Sequence, residues 1–210
     1  MLRGCDIKKY EYRIADKWLI NTHNGLKSKK INPVNINDFP AIKKHLNSYG
    51  VKLCNRDDQG ITPYNLRNCA YLQDFSKPKI VWGNLCLKAQ YAFVEDEIFI
   101  NAPATMIVPA DKYILAVLNS KISDYFIKQL GVTRNGGYFE YKPMFVERIP
   151  VPYLSEKERT PFIELVNKIE EAKRKDLPTD FLEQQIDMML YNLYELTEEE
   201  ISYIENYNIN

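Results

Sequence analysis

From Asp111 to Leu130 the residues Ile114, Leu115, Leu118, Ile122, Tyr125, Phe126 and Gln129 recur at helical spacing, which predicts one helix over 111–130 with a single buried face. Asp111 stands where a cap is needed and Gly131 where the helix must stop. After Pro150-Val151-Pro152, a stiff extended segment, the pattern is helical again. Phe162, Leu165, Val166, Ile169 and Ala172 form one stripe. Leu182, Ile186, Met189, Leu190 and Leu193 form a second, behind an Asp180…Glu183 capping-box pattern. Thr197…Glu200 repeats that pattern before Ile201, and the short KDLPTD connection predicts that the first two helices run antiparallel.

Upstream the spacing changes. KPKIVWGNL, QYAFVE and EIFIN are β-branched and aromatic and predict strands, and ATMIVP predicts a further buried one. Asp38 is placed to cap a short helix through PAIKKHLNSYG, with Ile42 and Leu46 on one face and Gly50 as its end. The Lys-rich stretch THNGLKSKKINP is a loop with an Asn24-Gly25 turn, closed by Pro33. These elements predict an α+β fold in which a mixed β-sheet domain, residues 1–150, is followed by a helical hairpin or bundle, residues 151–210.

A hydrophobic content of 45% supports a packed core, while no window approaches the roughly 18 uninterrupted apolar residues of a membrane span. The N-terminus lacks the apolar middle of a signal peptide. Cysteines 5, 54, 69 and 86 form no CxxC pair, and with His23 and His45 alone to add they make no zinc spacing, as expected of thiols in a reducing cytosol. The zero formal charge conceals a division: residues 1–150 hold 22 Lys+Arg against 14 Asp+Glu, a net of +8, and residues 151–210 hold 6 against 14, a net of −8. A basic segment suits a polyanion, and an acidic one faces elsewhere.

Catalytic signatures are missing: the chain has no GxGxxG, P-loop, GxSxG or HExxH. Glu140-Tyr141-Lys142 has the Glu-x-Lys spacing of some metal-dependent nucleases, with Asp111 or Asp124 as the further carboxylate such a site needs; the same triplet arises by chance in a highly charged chain. Glu95, Asp96 and Glu97 fit a solvated turn better than a metal cage, and His45 fits the polar side of a Lys-rich helix. No catalytic residue and no metal site is assigned.

The segment TPYNLRNCAY, residues 62–71, follows neither a helical nor a strand period. Its Asn side chains suit a turn that satisfies its own backbone. Asn65, Arg67 and Asn68 equally suit a reading loop, since Arg and Asn each make paired hydrogen bonds to a base edge. Leu66, Cys69 and Trp82 fit a core better.

Several stretches together resemble the TaqI-like C-terminal specificity domain of bacterial type IIG and type I-like restriction-modification methyltransferases. They are RGCDIKKY at 3–10, KWLINTHNG at 17–25, NINDFPAIKKHL at 35–46, RDDQGITPYNLRNCAYLQDFSKPKIVWGNL at 56–85, ILAVLNSKISDYFIKQLG at 114–131 and GGYFEYKPMFVERIPVP at 136–152. The tail, PFIELVNKIEEAKRK and IDMMLYNLYELTEEEI, looks like that family's closing helices. The family's adenine-holding Asn-Pro-Pro-aromatic tetrapeptide and its glycine-rich cofactor loop are missing, and Cys5 stands where a basic residue is usual. The chain starts almost at the family's first motif, as an excised domain or a truncated product would.

The resemblance implies a non-catalytic target recognition domain that binds double-stranded DNA beside a methyltransferase domain or subunit, with S-adenosylmethionine expected in that partner and no cofactor here. It also implies a cytoplasmic, nucleoid-associated location in a bacterium. Under it, Asn65, Arg67, Asn68, Arg134 and Asn135 are base-reading candidates, and Lys27, Lys29, Lys30, Lys77 and Lys79 are phosphate candidates. The acidic helices would dock on the methyltransferase or on a second copy, making a homodimer. The competing readings are an assembly domain of a restriction-modification complex with no DNA binding of its own and, more distantly, a nuclease using Glu140 and Lys142.

Overall fold

The computed structural model describes residues 1–95 and 97–207, so Asp96 of the acidic run lies outside the described residues. The chain divides into two compact units, residues 1–17 with 75–210, and residues 18–74.

In the larger unit, β1 (Ile7–Lys8) and β2 (Glu11–Tyr12) make a small ladder. In the smaller unit, α1 (Pro40–Asn47) and α2 (Val51–Cys54) are its helices. The larger unit continues with β3 (Lys79–Gly83), β4 (Leu85–Cys86), β5 (Tyr91–Val94) and β6 (Ala104–Ile107), then α3 (Lys112–Leu118), α4 (Lys121–Leu130), β7 (Thr133–Arg134), β8 (Tyr138–Glu140) and α5 (Pro143–Val146). It closes with α6 (Glu156–Arg174), α7 (Asp180–Leu193) and α8 (Glu198–Glu205). The class is α+β as expected, but among the described residues the strands form three antiparallel sheets rather than one mixed sheet: β1-β2, β5-β3-β6 and β4-β8-β7. The parallel pairing is an isolated bridge, Leu2 to Ile100. EIFIN accordingly contributes that bridge and no strand, and ATMIVP contributes β6.

Strand β3 is buried at all five positions because both of its faces are covered. Ile80 and Trp82 point into a large cluster with Tyr91, Leu115, Val166 and Leu190. Val81 points into a smaller one with Leu2, Ile7, Ala92 and Val94. Both predicted helical stripes belong to the large cluster, with Phe162, Val166, Ile169, Ile186 and Leu190 fully packed. The helices after residue 150 therefore share one core with the sheet that precedes them.

The segment 111–130 is two helices, not one. Asp111 caps the first, its carboxylate accepting the Tyr113 N–H at 2.7 Å. The break falls at Asn119-Ser120. Asn119 is 1% exposed, and its amide accepts from Tyr91 N at 3.0 Å and donates to Tyr91 O at 2.9 Å, as a neighbouring strand would. Ser120 then caps α4. Short polar side chains that bond nearby backbone end helices in this way. Two predicted caps also move by a residue or more. Asn35, not Asp38, accepts the backbone N–H of a short 3-10 turn, and Pro40 opens α1. Thr179 precedes α7 and donates to Glu183, so Asp180 lies inside the helix. Thr197…Glu200 closes the expected box on α8.

Asp187, on the buried face of α7, accepts the Lys121 N–H at 2.9 Å, at the start of α4. Burial pushes its carboxyl up to about 6, against the pull of that N–H and of the Lys9 and Lys121 charges, while Glu205 adds to the rise. The folded value lies above the unfolded one, so ionising Asp187 opposes folding as pH rises through about 6. Asp187→Asn keeps the acceptor without the charge. We expect it to be more stable than wild type near neutral pH, by up to ~3 kcal/mol. That gain should vanish below pH ~4, as urea denaturation at several pH values would show.

Candidate nucleic-acid interface

Within the smaller unit, TPYNLRNCAY folds as a turn followed by an extended run. Asn65 N donates to Thr62 O at 3.1 Å across Thr62-Pro63-Tyr64-Asn65, with Pro63 where its fixed φ is favourable. Gly60 N donates to Asn65 O at 3.0 Å, and Gln59 and Leu66 form an antiparallel bridge. Gly60 has no room for a side chain, since a Cβ would meet Asn65 Cβ and Leu66 O at 2.6 Å.

Polar side chains hold this turn from outside. The Arg56 guanidinium donates to Pro63 O at 3.1 Å and also to Asn65 O. Asn24 accepts the Ile61 N–H at 2.7 Å and donates to the Asn68 side chain. The Thr22 hydroxyl donates to Tyr64 O at 2.7 Å, and Thr22 O accepts from Leu66 N at 2.8 Å. Asn65, 2% exposed, donates its amide to Val34 O at 2.9 Å and accepts from the Thr62 hydroxyl at 2.6 Å. Arg67 lies on the outside with its side chain 66% exposed, and Nη1 is 3.3 Å from Asp58 Oδ2. Asn68 is also exposed.

Lys27 and Lys29 are exposed on a 3-10 turn and Lys30, exposed, follows in the left-handed region with φ 56°. Gly25, ahead of them, has φ 73°, and Leu26 bridges to Ile31, closing the predicted loop. Residues 18–74 hold 8 Lys+Arg against 4 Asp+Glu, a net of +4.

In the larger unit, β7 and β8 form a hairpin with Arg134 opposite Tyr138. Asn135-Gly136-Gly137 makes its tip, with φ of 82° and 77° at the two glycines. Asn135 is exposed. Arg134 donates from Nε to Glu140 Oε1 at 2.7 Å, and Lys142 Nζ lies 2.8 Å from Glu140 Oε2. The bonds from Lys142 and Arg134 hold the Glu140 carboxyl below its usual value.

A family model described as the TaqI-like C-terminal specificity domain matches residues 1–151. The chain belongs to that family. Residues 1–151 are thus a specificity domain, the DNA-recognition part of a restriction-modification system. A search of the curated proteins finds no match. Among the described residues of this specificity domain, no helix is long and apolar enough to cross a membrane.

The structure places two of the sequence-derived candidates in the interior. Asn65 is buried, and its amide joins chain segments inside the unit. Lys79 is 0% exposed and its ammonium donates to Phe75 O at 2.8 Å and Lys77 O at 3.1 Å, so it is closed to phosphate. Lys77 itself is exposed. Leu66 and Cys69 are only half-buried, whereas Trp82 is buried with Nε1 donating to Tyr141 O at 2.6 Å. Glu140, 3% exposed and tied to two cations, is an anchor for the hairpin rather than a metal ligand. No group of three His, Cys, Asp or Glu able to hold a metal occurs among the described residues. Asp111 caps α3 and pairs with Arg159, and Asp124 accepts from Ala89 N and Tyr141.

The residues that sequence reasoning overlooked are Arg56, Asn24 and Thr22. Only the run RDDQG ahead of the loop hinted at Arg56, and no local spacing connects Asn24 to Ile61 or Asn68. Removing a partner from a buried polar frame leaves unsatisfied groups, so Arg56→Ala and Asn65→Ala should each destabilise residues 18–74 by about 1–3 kcal/mol. Arg67→Ala, exposed, should stay within about 0.5 kcal/mol of wild type. Thermal melts with limited proteolysis of the 18–74 segment test the contrast, which fails if Arg67→Ala is as costly as Arg56→Ala.

Proposed function

We propose that this specificity domain reads duplex DNA for an adenine-specific methyltransferase, with Arg67 and Asn68 at base edges and Lys27, Lys29 and Lys30 on phosphates. The observation that supports it most is the contrast within one loop. Arg56 and Asn24 bond the backbone of the turn, the buried Asn65 amide ties it to Val34 O, and Arg67 is left exposed beside it. Base readout needs a forked donor held in register by a frame, and the contrast between the bonded Arg56 and Asn65 and the exposed Arg67 supports that division. Arg134 and Asn135 at the hairpin tip are a second pair of readers, and Lys77 is a further phosphate contact. The methyl donor, S-adenosylmethionine, belongs to the partner's catalytic domain, and the working location is the bacterial cytoplasm, at the nucleoid.

One observation favours an added docking role for the C-terminal helices. On α7, Phe181 is 71% exposed and Met188 45%. Large apolar side chains left in solvent on one face of a helix suit a protein partner, and here that partner is the methyltransferase domain.

Binding of the chain to duplex should fall by a few powers of ten as salt rises from about 50 to 200 mM. In a methylation assay with the methyltransferase restored, Arg67→Ala should cost about 1–3 kcal/mol at the true site and relax the preference at one base pair. Lys29→Ala should instead weaken all sequences alike and lower the salt slope by about one. Salt-independent binding, or identical behaviour of the two variants, would overturn the proposal.

A further inference from the structure

The isolated Gln59–Leu66 bridge is antiparallel, and its register carried one step outward brings residue 58 against residue 67. The side chains of Asp58 and Arg67 meet there at 3.3 Å. Both are largely exposed, at 71% and 66% of the side chain. An ion pair this exposed adds little stability, which leaves its place beside the predicted reader to be explained by something other than folding. The turn behind it is rigid: Gln59 Nε2 donates to Arg56 O at 2.7 Å, and Gly60 has no room for a side chain.

We infer that Asp58 is a second specificity-determining residue, and that Asp58 and Arg67 together read one whole G·C base pair. The inference rests on Arg67 facing a base edge. In the major groove a G·C pair shows guanine N7 and O6 as acceptors and the cytosine N4 amino group as a donor. The Arg67 fork supplies two donors and the adjacent Asp58 carboxylate supplies an acceptor, in that order across the pair. An A·T pair ends instead on thymine O4, an acceptor, which the carboxylate repels. The same negative charge disfavours phosphate, so Asp58 also keeps Arg67 from settling on the backbone of unrelated sequence. Lys27, Lys29 and Lys30, exposed and without an ion pair among the described residues, suit the backbone role.

The test is selection of a randomised duplex library by the full chain, followed by affinities for single-base-pair variants of the enriched site. Arg67→Ala should relax one G·C position. Asp58→Asn should relax the same position by roughly 5- to 100-fold, with tighter binding to unrelated duplex. The double variant should lose no more discrimination than Arg67→Ala alone, the sign of a shared contact. If Arg67→Ala relaxes a G·C position and Asp58→Asn leaves it intact, Asp58 is not a reader and the inference fails while the proposed function stands. If the wild-type chain enriches no sequence, or Arg67→Ala changes no position, the proposed function fails and the inference with it. Melting temperatures accompany each variant. An Asp58→Asn that is destabilised, and that regains wild-type discrimination at a temperature where it is fully folded, would make Asp58 structural and overturn the assignment.

Discussion

The Asn65 amide, buried among backbone groups, accepts from Thr62 and donates to Val34 O, and so ties the 62–71 loop to the segment before α1. Residues 18–74 have little else to rely on, since Ile36 is their single hydrophobic side chain in the buried class. A unit without an apolar core holds its shape by satisfying polar groups, and a missing partner there costs more than an average hydrogen bond contributes. Arg56, Asn24 and Thr22 add hydrogen bonds to that frame from three directions. The exposed positions of Arg67 and Asn68 follow from it.

The larger unit works on the opposite principle. Strand β3 is covered on both faces, and α3, α6 and α7 close over one of them, so its order comes from apolar burial. Polar groups in this core act as connectors. Asn119 pairs with the backbone of Tyr91, and Trp82 reaches Tyr141 O. The hairpin of β7 and β8 stands on this base through Glu140, whose two oxygens meet Arg134 and Lys142. Lys79 is drawn into the same interior, where two carbonyls replace water around its ammonium.

The two modes of construction suit different tasks. A hydrophobic body tolerates change at its surface, while a polar frame fixes a few exposed side chains in register. The charge follows the same division: residues 18–74 net +4, whereas residues 1–17 with 75–210 hold 20 Lys+Arg against 24 Asp+Glu, a net of −4. Positive charge thus gathers in the unit that carries Arg67 and the Lys27–Lys30 turn.

Much was legible in the sequence. The α+β class, strands β3, β5 and β6, the stripes of α6 and α7, the Thr197 cap and the family all follow from periodicity, capping chemistry and ordered motifs, which are local or collinear with the chain. The Arg67 position as an exposed donor was legible too. Tertiary structure alone decided three matters. It broke the helix at Asn119, because the Tyr91 backbone lies within reach of that amide. It made Asn65 and Lys79 interior residues, because burial depends on which distant segments arrive beside a side chain. It also put Asp58 opposite Arg67, nine positions away, since a single bridge register sets which residues face each other. Residue type states what a side chain can bond; only the folded chain determines whether that capacity is satisfied within the protein or presented to a partner.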